Sequence, residues 1–458
     1  MSSNKLYLCS NKTKINKKCK FLTKKKMKTQ TKDDNIDVII IGAGASGLSA
    51  SRNLIDKNFK IIILESRNRI GGRIYDADIK NFGKIPIGAA WLHKKGKYNL
   101  LKPLMDDLSI KYMNTDSLVN GKSMNIYREN GEKLNSKEFN LFTKILSELP
   151  KKLHNYGKNS SESISDATKN ILKKYNLPKD IINSLITRAT EHCSLDSNIM
   201  PVSEFDGWEP NGKVVVDGYQ KLIDHLSRGL DIRLNSIVKT IKQTETGVLV
   251  KTKNGTFHAK YVICTLPVGV LQSKSVKFIP SLPKRKIKAI KNMFTGSHEK
   301  IFLLFDKVFW DPNVYAFQYS DSKNRGLCTQ WFNITLSTSG KKILYTNLSG
   351  PDIKYLAKSD KELTKICMKN LKKIFGTNIP NPKDVYVSRW AQDPYTMGGP
   401  HSHPKMNGKI TDHDIIGEPF KKIYFAGVDT SSTVTETVEA ALLSGIRASN
   451  QIMSKFNH

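Results

Sequence analysis

Residues 37–47 place the tightest limit on what this 458-residue chain can become. Asp37-Val38-Ile39-Ile40-Ile41 is a short β-branched run of the kind a fully buried parallel strand needs. It enters Gly42-Ala43-Gly44-Ala45-Ser46-Gly47 without a spacer, and a helical stretch from Leu48 to about Lys57 follows. A second apolar strand, Lys60 to Leu64, ends at Glu65. The small residues suit a dinucleotide. Gly42 permits the tight turn, Gly44 lets the backbone approach a pyrophosphate, and Gly47 allows close helix–strand packing. Ala45 and Ser46 join the expected cofactor contacts, ahead of a helix N-terminus whose free N–H groups and positive dipole end meet phosphates. Glu65, 23 residues after Gly42, is spaced to accept hydrogen bonds from ribose hydroxyls. A glycine-rich turn alone is weak evidence. With a strand before it, a helix after it and an acid closing the next strand, it reads as a dinucleotide site.

The next segment selects the dinucleotide. Glu65-Ser66-Arg67-Asn68-Arg69-Ile70-Gly71-Gly72-Arg73 resembles the second signature of FAD-dependent oxidoreductases, in which a Gly-Gly-Arg turn packs on the pyrophosphate. Gly72 allows backbone approach and Arg73 supplies a charge-assisted fork; Arg67 joins the expected cofactor contacts. Gly88-Ala89-Ala90-Trp91-Leu92-His93, Val214 to Tyr219, Asp231 to Val238, Thr265-Leu266-Pro267-Val268-Gly269-Val270-Leu271, Trp390 to Tyr395 and Phe425-Ala426-Gly427 through Gly445 continue the likeness. In these motifs the chain resembles the flavin amine oxidase family over about residues 37–455, nearest to polyamine oxidases and the catalytic domain of lysine-specific histone demethylases.

That resemblance implies an α/β fold, with a Rossmann-type FAD-binding domain and a second α+β substrate-binding domain inserted in it. The FAD-binding domain would draw on 37–115, 213–282 and 385–458, and the substrate-binding domain on 116–212 and 283–384. Residues 116–212 lack a parallel-strand pattern and read as mostly helical, whereas Ile301 to Phe305 reads as a strand. The cofactor implied is non-covalent FAD, because Gly398-Gly399-Pro400 offers no cysteine where monoamine oxidases tether theirs. Its contacts would include Ala90 and Trp91 beside the isoalloxazine, Val238 near the adenine, Pro267, Trp390 flanking the ring, Val428, Asp429, Thr437 and Val438. The reaction implied is hydride transfer from the carbon alpha to an amine, with a polyamine expected, to flavin N5. Imine hydrolysis and re-oxidation by O₂ to H₂O₂ complete it. Lys300 matches the lysine that contacts N5 through water, and His93 falls where relatives place a substrate-facing His or Glu. Both read as catalytic candidates, with an ordinary structural histidine as the other reading of His93.

The chain departs from the family pattern in two respects. Val428 stands where related oxidases usually carry an acid, with Asp429 following, and Pro400 and Thr437 replace the aromatics that sandwich the amine. They leave open a second reading, a flavin-binding interaction protein with weak or lost catalysis. Glu191, Glu204, Asp206 and Glu209 read either as an acidic attractor for polyamines or as a solvated face. His401, His403 and His413 lack a fixed fourth ligand, so no metal is expected.

Charge adds one expectation. The chain carries +33, from 62 lysines but only 12 arginines, a ratio that reads as compositional bias more readily than as arginine-led nucleic-acid recognition. Residues 1–35, with 11 lysines, read as a basic disordered tail with weak, nonspecific polyanion contact as its possible use. No apolar run approaches a membrane span. Six cysteines without C-x-x-C spacing suggest reduced thiols and a cytoplasmic or nuclear setting.

Overall fold

The fold is described from a computed structural model, for residues 36–456 apart from 94–99, 115–122, 189–195, 206–211, 217, 297, 339, 401 and 434–436. The tail therefore lies outside the described residues, as do Glu191, Asp206, Glu209 and His401.

Val38–Ile41 is the central strand of a five-stranded parallel sheet. Ile61–Leu64 pairs on one side and Tyr261–Cys264 on the other; Ile232–Arg233 and Ile423–Phe425 form the edges. The three central strands are apolar along nearly their whole length because both faces are covered, as parallel sheets require. One cover is the helix Ala45–Ile55, which starts three residues before the expected Leu48, since Gly44 already caps it in an extended conformation. The C-terminal helix Val438–Met453 packs on it where Gly445 meets Ser46; a Cβ on Gly445 would lie 2.2 Å from the Ser46 carbonyl oxygen. Ser49 Oγ donates to the Leu442 carbonyl at 2.9 Å and reinforces that crossing.

A six-stranded sheet carries the second layer, in the order Asp384–Val387, His298–Leu304, Ile343–Ser349, Gln330–Asn333, Ala316–Tyr319 and Met124–Tyr127. The expectation for 116–212 needs correcting here. Helices Ser136–Gly157, Ile164–Leu172 and Lys179–Ile186 are present, but Met124–Tyr127 is a strand, and it pairs parallel to Ala316–Tyr319. A four-residue strand has too few residues to display a period, and its partner lies about 190 positions away in the chain. Helix Ser136–Gly157 opens with a capping box, Asn135 with Glu138, and buries one stripe from Phe142 to Leu153 against this sheet. Three short strands, Trp91–His93, Gly212–Val215 and Tyr112–Asn114, form a small sheet of their own. Among the described residues no helix is long and apolar enough to cross a membrane.

Candidate active site

A cavity of about 310 Å³ runs from the glycine turn to the six-stranded sheet. At its first end backbone meets backbone. Gly42 adopts φ +103°, and a Cβ there would lie 2.4 Å from Thr265 Oγ1. Gly44 bridges Gly71, and the Gly71 N–H donates to the Ala43 carbonyl at 2.8 Å, which locks the two signature turns together. A Cβ on Gly72, itself at φ +59°, would come within 3.2 Å of the Gly44 Cα. Glu65 is buried; Oε2 accepts from the Ala43 N–H at 2.8 Å and Oε1 from the Arg67 N–H at 2.9 Å. Arg67 is itself held by Asp393 at 2.7 Å and by Thr396.

This end fits the pyrophosphate of a dinucleotide. The helix Ala45–Ile55 has no side-chain cap, so its first N–H groups remain for an anion, and Ala45 and Ser46 line the cavity. Arg73 is buried deeply enough to lower its pKa, and the groups accepting from its guanidinium are the Gly399 and Pro400 carbonyls. A half-buried cation bonded to two neutral carbonyls retains the capacity to neutralise a phosphate.

At the other end Lys300 projects from the strand His298–Leu304. Its Nζ donates to the Pro86 carbonyl at 2.7 Å and the Gly88 carbonyl at 2.8 Å. Burial pushes its pKa down to about 7, with Asp76 opposing the fall. Gly88 itself packs on the backbone that follows the second glycine turn, where a Cβ would lie 2.0 Å from the Arg73 carbonyl oxygen. Trp390 closes the wall, its Nε1–H donating to the Ile87 carbonyl at 2.9 Å.

The structure gathers most of the sequence-derived residues on this one cavity. Gly42, Gly44, Ala45, Ser46, Glu65, Arg67, Gly72, Arg73, Ala90, Trp91, His93 and Pro267 line it, with Lys300, Trp390, Val428, Thr437 and Val438. Three do not line it. Gly47 lies behind the turn against the Gly42 carbonyl, Val238 packs among the apolar residues around the parallel sheet, and Asp429 accepts from the Ser402 N–H at 2.7 Å and Oγ–H at 2.8 Å. Pro400 and Thr437 do line the cavity without aromatic rings; Phe332 and Tyr345, stacked at 4.8 Å, supply aromatic surface from the sheet, with Trp91 edge-on to Phe332. Of the suspected acidic attractors, Glu204 is tied to the Ile410 N–H at 2.6 Å. Among the described residues no group of three or more His, Cys, Asp or Glu is placed to hold a metal ion.

Sequence reasoning missed Glu299. This fully buried carboxylate accepts from Ser388 Oγ–H at 2.7 Å, the Trp390 N–H at 2.9 Å and the Ala391 N–H at 2.8 Å. Ser388 Oγ in turn accepts from the Lys300 N–H at 2.8 Å, so one network positions both Lys300 and Trp390. Glu299→Ala is expected to destabilise the fold by roughly 3 kcal/mol, since it strands three buried donors. Urea unfolding of variant and parent measures this; a loss under about 1 kcal/mol would mean the network is dispensable.

The parallel sheet, the two interlocked glycine turns and the buried lysine facing a deep cavity define a dinucleotide-dependent oxidoreductase. The match to known families is narrower. The family of flavin-containing amine oxidoreductases matches residues 45–453, and the chain belongs to that family; its cofactor is FAD. A probable polyamine oxidase of Arabidopsis thaliana is 31% identical, over 91% of this chain and 87% of that one. A human lysine-specific histone demethylase is 29% identical over 91% of this chain but only 53% of its own length. A putrescine oxidase structure solved with putrescine superposes with a TM-score of 0.76 at 18% identity, covering 91% of this chain and 99% of that one.

Proposed function

We propose that the protein oxidises an amine at the carbon bonded to nitrogen, with O₂ as the final acceptor and H₂O₂ as the by-product. The observation that carries this reading is Lys300 Nζ, held by the Pro86 and Gly88 carbonyls and directed into the cavity between the glycine turns and the six-stranded sheet. FAD, held without a covalent bond, supplies the two-electron acceptor at N5. The chain's own groups hold, orient and shield. The first turn of helix Ala45–Ile55, with Arg73, neutralises the pyrophosphate, and Glu65 takes the ribose hydroxyls. Trp390 and Trp91 wall the reacting centre against water. The substrate loses a hydride from its α-carbon and leaves as an imine, which water hydrolyses to a carbonyl and an amine. The amine must be neutral when it reacts, because its lone pair drives the loss of hydride. Lys300 holds its proton close to neutrality and offers a positive charge to negative charge developing beside it.

The names of the relatives support a polyamine as substrate. Among the described residues that line the cavity the only carboxylate is Glu65, at the ribose end, so the acids that would hold a second ammonium are not supplied there. The visible spectrum of the purified protein tests the reaction. A yellow protein bleached anaerobically by an amine, and re-coloured by air with release of H₂O₂, is the expected result. A protein that cannot be loaded with FAD would sink it, and a yellow protein that no amine bleaches would leave a flavin-binding protein without this reaction.

A further inference from the structure

The floor of the cavity beside Lys300 carries polar groups that neither the fold nor the oxidation uses. Strand pairing sets Lys300 opposite Asn347. The adjoining pairs, Trp331 with Thr346 and Phe332 with Tyr345, set Gln330 one strand further along the same row. All three side chains line the cavity. Asn347 and Gln330 are only 9% and 5% exposed, yet among the described residues Asn347 Oδ1 and Gln330 Nε2 have no hydrogen-bond partner. Buried polar atoms are rarely left so, and two that line a cavity are free to bond with what enters it.

Arg188 follows the helix Lys179–Ile186 and lines the same cavity. Its Nε is buried and unpartnered, and among the described residues no carboxylate pairs with its guanidinium. Burial lowers its pKa to about 10, so it remains a cation at neutral pH. An arginine with no acid beside it among the described residues, in a cavity that must also admit an amine, calls for an anion on the substrate itself.

We propose that the amine oxidised here also carries a carboxylate. Arg188 receives the carboxylate, Gln330 Nε2 donates to an oxygen of the same substrate, and Asn347 Oδ1 accepts from the amine N–H beside Lys300. A simple polyamine would instead bring its second ammonium toward a cation. This assignment rests on the amine oxidation proposed above, and the test separates the two.

The FAD-loaded full chain is titrated with butanoate at physiological ionic strength, by calorimetry and by the shift of the flavin bands. Saturable 1:1 binding is expected, weakened about 10- to 100-fold in Arg188→Met with FAD content and spectrum unchanged. No saturable binding, or equal binding by parent and variant, overturns the assignment. In a second arm the protein is mixed anaerobically with spermidine, butane-1,4-diamine, 4-aminobutanoate and the common L-amino acids. Bleaching by an amino carboxylate, at least about 10-fold faster at low concentration than by the amine lacking the acid, supports the assignment. Bleaching by the amines alone overturns it. If nothing bleaches, amine oxidation falls, while the butanoate titration still decides the role of Arg188.

Discussion

Lys300→Met is expected to leave FAD bound and the fold intact while slowing the return of electrons to O₂ by roughly 10²- to 10³-fold, the range seen when one preorganised charge is removed from a buried reacting centre. Lys300 is 5% exposed and its ammonium is held by two neutral carbonyls, so charge developing on or beside reduced flavin meets a cation with little water to screen it. Methionine has similar length and no charge. Desolvation lowers the Lys300 pKa from 10.5 to about 7, so the ammonium is present below pH 7 and is lost as pH rises through it. The oxidative rate of the parent should therefore fall across that window, and that of the variant should be flat. The same shift has a thermodynamic consequence in the apoprotein. Between about pH 7 and 10.5 the unfolded chain binds a proton at this lysine that the folded chain does not, so stability rises with pH over that interval. Stopped-flow re-oxidation over pH 6–9 decides the matter (the pH span being roughly that of the titration). An unchanged rate in the variant would remove Lys300 from the mechanism.

Gly47→Ala should abolish stable FAD binding and lower the stability of the apoprotein by roughly 2–3 kcal/mol, the cost of overpacking a close backbone contact. The added Cβ would sit 2.0 Å from the Gly42 carbonyl oxygen and 3.2 Å from Ile40 Cγ2, so strand and helix must separate, and the turn between them moves with them. Gly44→Ala provides the contrast. Gly44 is extended, and the nearest atom to an added Cβ is the Gly72 Cα at 3.9 Å. That variant should fold with unchanged stability yet bind FAD at least ~100-fold more weakly, because its methyl group occupies the space a pyrophosphate needs. Urea melts of the two apoproteins, paired with flavin-fluorescence titrations, separate the effects. Equal FAD affinity in Gly44→Ala and the parent would show that the pyrophosphate does not approach this backbone.

Asp37–Ile41, the glycine run, the helix behind it and Glu65 were legible because local chemistry specifies them: β-branched residues for a buried strand, glycines where a Cβ collides, an acid at a fixed distance along the chain. Arg73 and Lys300 were legible through their motifs. The register of the six-stranded sheet was not. Nothing in Gln330-Trp331-Phe332-Asn333 or in Leu344 to Asn347 states which strand lies opposite which, and a slip of one residue would turn Asn347 and Gln330 away from the cavity.

The sequence by itself determined the two glycine turns and the acid beside them, since these lie within about 30 residues of one another and the glycines are required for steric reasons. Tertiary structure alone decided what surrounds the reacting end. Glu299 is one charge among many in the sequence and becomes an anchor only when Ser388, Trp390 and Ala391 converge on it. Arg188 and Gln330 enter the site because a helix and a sheet strand, about 140 residues apart in the chain, are packed around one cavity. Long-range packing sets burial, and burial gives a lone arginine or an unpaired amide a chemical meaning that its place in the chain does not.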